Sequence, residues 1–298
     1  MTESRTIRAV RITEHGGIER LDVVELAEPR PGPGEVAVRA VASSINPVDW
    51  KTRAWDIGPA MPMVLGWDLA GIVVGGTAGG FETGDRVVAM SAQLATGLGT
   101  WAETVVLPAR LVAPAPRSVP LAEAATLPLA GLTARQSLAD LDLPAGARLL
   151  VTGAAGAVGG LVAQLALAAG YRVDGLVSRP EHVPPARELG LGSVVTELSA
   201  LPADGYDAVF DSAGVHPGKV LRDGGAYLSI SDDPLPPVPG AHRIGVQEDG
   251  AGLAELAALV DRGLLRLRVA RRYALRDVRA AHHAFEAGGL VGKVVIEF

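Results

Sequence analysis

The 298-residue chain contains no cysteine. That excludes disulfides, thiolate nucleophiles and cysteine-ligated zinc. Lysine is scarce: Lys51, Lys219 and Lys293 are the only three among 27 basic residues. None of the six histidines (His15, His182, His216, His242, His282 and His283) lies between residues 16 and 181. His282 and His283 are adjacent on a predicted helix, where both cannot face one ion. No metal site is expected. No apolar run reaches the length of a membrane span, and the opening MTESRTIRAVRITEHGG has no apolar signal core. A net charge of −6 argues against a general nucleic-acid or membrane-surface binder. A soluble, cytoplasmic protein is the expectation. What the chain does have is 48% hydrophobic residues, enough for a sizeable core.

The first 115 residues read as β-rich. Short β-branched runs such as IRAVRI, EVAVRAVAS, GIVVGG, DRVVAM and AETVVLP are punctuated by glycine and proline. Alternation over Glu35–Val41 predicts half-buried strands of a barrel-like domain. From about Leu121 strand-like and helical segments alternate, beginning with LAEAATLPLAGLTARQSLADL, a helix broken near Pro128. Such alternation predicts a parallel sheet with crossover helices. Residues 232–242 form the one proline-dense loop.

The most informative segment is RLLVTGAAGAVG, residues 148–159. An apolar strand runs into Gly153, Ala154, Ala155, Gly156, Ala157 and Val158, and a strongly apolar helix follows. Small residues let the backbone approach phosphates, and a helix N-terminus offers free N–H groups and a positive dipole end. This strand–turn–helix context predicts a dinucleotide site. The next strand ends in Val177, Ser178 and Arg179. An acidic residue there would serve the ribose hydroxyls of NAD; Arg179 suits a 2′-phosphate instead. NADPH is the cofactor expected. Asp174 lies too early in that strand to reach the ribose.

With these features in place, the chain resembles the medium-chain dehydrogenase/reductase superfamily, in its zinc-free quinone oxidoreductase branch. The resemblance runs nearly end to end, through Asn46-Pro47-Val48-Asp49-Trp50-Lys51, Gly66-Trp67-Asp68-Leu69-Ala70-Gly71, Gly84-Asp85-Arg86-Val87, Gly99-Thr100-Trp101-Ala102-Glu103, Leu127–Ala134 and Gly292-Lys293-Val294-Val295. It implies an α/β protein: a GroES-like β-barrel domain (1–118 and 268–298) and a Rossmann doubly wound parallel-sheet domain (119–267), with the active cleft at their junction. It also implies a homodimer formed by the edges of the Rossmann sheets. Zinc alcohol dehydrogenases of the superfamily hold their metal with cysteine and a His-Glu pair; here those stretches carry Ile45-Asn46 and Trp67-Asp68.

Without a Lewis acid, hydride transfer to an already electrophilic acceptor is the natural reaction: a quinone or an α,β-unsaturated carbonyl. Alternatives are an enoyl reductase on a polyketide-type biosynthetic intermediate and a non-catalytic NADPH-binding redox sensor or structural protein. By resemblance Thr133 approaches the nicotinamide carboxamide. Asn46 either donates toward ribose or substrate or forms an Asn-Pro turn. Lys51 either places positive charge near a developing oxyanion or is a solvated lysine. Ser212, Gly214, Ser229 and Ser231 follow later Rossmann strands, where cofactor contacts are expected, although a serine there is as often a strand-end cap; Lys293 is a further cofactor candidate. Asp68 and Asp85 read as structural turn aspartates. Trp50, Trp55 and Trp67 are candidates for an aromatic acceptor pocket, with core packing as the competing reading. All four tyrosines (171, 206, 227 and 273) lie after the N-terminal segment 1–118, so no tyrosine proton donor is expected there. The chain is short for the family. The shortening falls in DSAGVHPGKVLRDGG, read as a compressed crossover helix, and in loop 232–245, read as bordering the nicotinamide.

Overall fold

The computed structural model describes residues 5–58 and 60–298. The chain forms two compact units. The first takes the chain up to Leu129 with Glu248–Asp261 and Leu267–Phe298; the second takes Ala130–Gln247 and Arg262–Arg266.

The first unit opens with β1 (Thr6–Ile12), β2 (Asp22–Ala27) and β3 (Glu35–Ser44). Helix α1 (Pro47–Ala54) follows, then β4 (Met63–Val64), β5 (Asp68–Gly75), β6 (Arg86–Met90), β7 (Thr104–Pro108), β8 (Val112–Pro114) and the short α2 (Leu121–Ala124). Strand β1 pairs antiparallel with β2 and β4. Strand β3 pairs antiparallel with β5 and β7, and β6 lies between β5 and β8. The predicted half-burial of β3 is corrected here. Of its first seven residues only Arg39 is exposed, and Ala37 is as hidden as Val36 and Val38. The strand is central: Val36, Val38 and Ala40 join a core with Ile7, Leu69 and Val87, and α2 packs against it.

The second unit carries α3 (Pro128–Leu141, which begins in the first), β9 (Arg148–Thr152), α4 (Ala157–Ala168), β10 (Arg172–Leu176) and α5 (Val183–Arg187). Then come β11 (Val194–Val195), β12 (Tyr206–Asp211), β13 (Leu221–Ser229) and β14 (His242–Arg243). All six strands are parallel, in the order β11-β10-β9-β12-β13-β14. The direction of strand addition reverses between β9 and β12. In a doubly wound sheet the ligand crevice opens at that point, outside the carboxyl ends of the strands.

One expected element is missing. DSAGVHPGKVLRDGG contains no helix: β12 reaches parallel β13 through an irregular link, residues 212–220. A crossover normally needs a dozen or more residues, and this link is too short to build a helix and still return. The proline-dense loop helps cover the bare face instead. Leu235, Val238 and Ala241 pack on the core formed by Tyr206, Val209, Val220 and Tyr227.

The chain then returns to the first unit as α6 (Gly250–Asp261), β15 (Val269–Ala274), α7 (Val278–Glu286) and β16 (Lys293–Glu297). Strand β16 pairs antiparallel with β3 and parallel with β15. The sequence places α6 in the Rossmann segment; in the fold it packs against β8 and β6 of the first unit. A Cβ on Gly250 would lie 2.3 Å from the Arg110 carbonyl oxygen, so helix and barrel backbone touch. The Asp261 carboxylate accepts the Arg117 and Ser118 N–H groups.

Candidate active site

The phosphate-loop candidate sits where the crevice opens. Gly153 has φ +66°, a conformation L side chains rarely adopt, and a Cβ there would lie 2.4 Å from Ser212 Oγ. Gly156 is the N-cap of α4, and its N–H donates to Gly153 O (2.8 Å). A Cβ on Gly159 would lie 2.3 Å from the same carbonyl oxygen. Glycine at 159 therefore lets α4 lie against the loop, and the first-turn N–H groups of α4 remain available for an anion. Ala154 and Ala155 are buried, while Ala157 and Val158 open the helix. The loop fits a pyrophosphate.

Ser178 and Arg179 lie just past β10, both exposed. Among the described residues no charged neighbour pairs with the Arg179 guanidinium. Asp174 points elsewhere. It accepts the Ser193 N–H (2.6 Å) and the Tyr206 hydroxyl (2.7 Å), and pairs with Arg148.

On the other side of β9 the structure reveals a residue the sequence reading passed over. Asp211, fully buried at the end of β12, accepts Thr152 Oγ1 (2.6 Å) and Ser229 Oγ (2.8 Å). It also accepts the N–H groups of Ala213, Gly214 and Val215. Burial opposes its ionisation, but the donors led by Thr152 outweigh that and hold the carboxyl below its ordinary range. The Ser212 hydroxyl donates to Thr152 O (2.8 Å), and Ser231 Oγ to Asp233. Gly214 has φ +70°. The available signal was an aspartate ending a parallel strand beside the dinucleotide loop, in DAVFDSAG. Thr133 is buried on α3.

In the first unit a second buried cluster gathers around Asp68. Its Oδ2 accepts Ser44 Oγ (2.5 Å), Asn46 Nδ2 (2.8 Å) and Lys293 Nζ (2.5 Å). Its Oδ1 accepts the Leu129 N–H (2.7 Å) in the first turn of α3. Lys293 Nζ also donates to Asn46 Oδ1 (2.6 Å). Asn46, Asp68 and Lys293 are all buried. Both ends of the Asn46 amide thus meet protein partners, and an ammonium lies between the two stretches that resemble zinc-ligand positions. Among the described residues no group of three His, Cys, Asp or Glu is placed to hold a metal.

Lys51 is half-buried on α1. Trp50 and Trp55 meet edge to face, with ring centroids 4.9 Å apart, and Trp55 is 50% exposed. Trp67 is buried, and its Nε1 has no partner among the described residues. Asp85, at the turn before β6, accepts the Glu82 N–H.

Two buried groups make stability pH-dependent. Burial, with Arg53 nearby, pushes His282 down to about 3; burial pushes Asp49 up to about 8 despite the Asn46 N–H it accepts. Unfolded histidine binds its proton near the ordinary value, so the His282 contribution is lost as pH falls from about 6.5 toward 3. The Asp49 contribution has the opposite sign: it is lost as pH rises from about 4 to 8. Melting temperature against pH is expected to peak between these limbs. Asp49→Asn should raise stability at pH 8 by on the order of 1–3 kcal/mol and leave the acid limb in place. An unchanged alkaline limb would count against a protonated Asp49.

The comparisons agree with this architecture. Residues 32–117 match the family described as alcohol dehydrogenase GroES-like domain, and residues 191–296 match zinc-binding dehydrogenase. The chloroplast envelope quinone oxidoreductase homolog of Arabidopsis thaliana is 35% identical over 74% of this chain and 73% of its own. The chain belongs to the quinone oxidoreductase branch of the medium-chain dehydrogenase/reductase superfamily. The NADPH-dependent alkenal/one oxidoreductase of the same plant is 29% identical over 98% of this chain and 80% of its own. Among solved structures, mycobacterial Rv1454c complexed with NADPH superposes with a TM-score of 0.83 at 29% identity, covering 98% of this chain and 100% of that one. Such relatives establish this member of the superfamily as an oxidoreductase with the two-domain α/β fold.

Proposed function

We propose that this superfamily member is a zinc-independent, NADPH-dependent reductase of quinones or α,β-unsaturated carbonyls. The observation carrying the reading is the pair of features flanking β9: a cradle that a Cβ at Gly159 would fill, and the free guanidinium of Arg179 one strand away. NADPH, when bound, supplies the hydride that adds to the electrophilic carbon of the acceptor. Gly153–Val158 and the α4 N-terminus hold the pyrophosphate, while Ser178 and Arg179 hold the 2′-phosphate. The candidates for acceptor contact are Lys51, as a cation near the oxygen that gains charge, and the Trp50–Trp55 pair as an aromatic platform. Water supplies the proton that completes reduction. The buried Lys293 ammonium supports zinc independence, because a divalent cation beside it would face direct repulsion. A cytoplasmic homodimer is the corresponding expectation for the whole protein.

The test is steady-state NADPH oxidation against a panel of quinones and enones, with and without chelator. Turnover insensitive to chelator is expected. No turnover with any acceptor, despite tight NADPH binding, would favour the non-catalytic reading. Arg179→Ala should raise KM for NADPH by about 10–100-fold and barely change that for NADH, since one charge-assisted contact contributes about 1.5–3 kcal/mol. Equal effects on both cofactors would remove Arg179 from the 2′-phosphate site.

A further inference from the structure

The link between β12 and β13 poses a physical problem. It lacks the crossover helix that would ordinarily fix its backbone, yet it borders the crevice. We propose that Asp211 takes over that task and is a positioning residue for the nicotinamide half of the cofactor. This rests on the proposed NADPH binding.

Three observations converge. First, the Asp211 carboxylate receives three consecutive N–H groups, those of Ala213, Gly214 and Val215, as well as hydroxyls from β9 and β13. One side chain thereby ties the ends of three neighbouring strands to the link. Second, the link is held again farther on: the Tyr227 hydroxyl donates to Val215 O (3.1 Å), and His216 Nε2 lies 3.0 Å from Pro234 O. Third, the brace reaches the phosphate loop, since Ser212 donates through both N–H and Oγ to Thr152, the residue before Gly153. A buried carboxylate this well supplied with donors is a rigid support, whereas one left short of them costs free energy.

The topology decides which half of the cofactor depends on it. A dinucleotide lies across the point where strand order reverses, one mononucleotide on each side. Arg179 follows β10, on one side of β9; Asp211 ends β12, on the other. The 2′-phosphate belongs with Arg179, so the nicotinamide half falls to the side that Asp211 braces.

The test uses the full chain, with Asp211→Asn as the variant. Calorimetric titration with NADPH and with adenosine 2′,5′-bisphosphate separates the two halves. Asp211→Asn should weaken NADPH about tenfold or more while the bisphosphate changes by less than about twofold. Amide exchange at Ala213, Gly214 and Val215 should accelerate in the variant. If Asp211→Asn does not fold, Thr152→Val unties the same link more gently and should give the same split. Parallel weakening of both ligands, or unchanged NADPH affinity, overturns the proposal. If the unaltered protein binds no NADPH, the proposed function falls first, and the positioning role falls with it.

Discussion

Replacing Lys293 with methionine is expected to cost about 3–5 kcal/mol of folding stability, the loss typical of a buried ion pair that loses one partner. Asp68 is fully buried and would lose the counterion that it now meets inside the protein. Its remaining donors, from Ser44, Asn46 and Leu129, are neutral and offset only part of that deficit. The double variant Lys293→Met with Asp68→Asn should recover much of the loss, because no buried charge then remains. Asn46, released from Lys293, can turn its amide oxygen toward the new amide. Denaturant unfolding of the single and double variants measures the coupling. Additive losses would show that the two residues do not act as a buried pair.

The second large effect is expected at Gly159. Substitution by alanine places a methyl 2.3 Å from Gly153 O, a backbone atom that cannot rotate away. Helix α4 and the loop must separate, which shifts the N–H groups proposed to hold the pyrophosphate. NADPH affinity should fall by about 100-fold or more, since binding to several charge-assisted donors is lost together. A Cβ at Gly160 meets nothing closer than 3.5 Å, so Gly160→Ala is a control for inserting alanine into the same helix. Fluorescence titration with NADPH compares the two. Equal affinities would mean that the loop tolerates the displacement and that α4 does not set the phosphate geometry.

Much of the fold is legible in the sequence. The β-branched runs before residue 115, the break at Pro128 and the strand–glycine–helix pattern at 148–168 all become elements where their periodicity places them. Less legible is what pairs with what over long separations. Asp68 reads as a turn aspartate, and it does begin a strand; nothing local shows that Lys293 will reach it from the last strand. Asn46 and Lys293 read separately as cofactor candidates, whereas the fold joins them through a 2.6 Å hydrogen bond. The serines after the Rossmann strands read equally as cofactor contacts or as strand-end caps; in the fold Ser229 donates to Asp211 and Ser212 to Thr152. The helix expected in DSAGVHPGKVLRDGG fails because helical preference is weak beside the geometric demand of a short parallel connection, residues 212–220.

The sequence by itself determined the absence of thiol chemistry, the α/β architecture, the strand–glycine–helix loop at 148–168 and the basic residue after the next strand. These follow from residue type and local period, which neighbours along the chain express. Only the tertiary structure decided that a lysine ammonium neutralises Asp68, that α6 packs on the barrel, and that Asp211 braces the link beside the crevice. Each depends on atoms brought together by strand pairing across long sequence separations. Burial then sets their energetics, because removing water turns an ordinary carboxylate into one that must find its partners inside the protein.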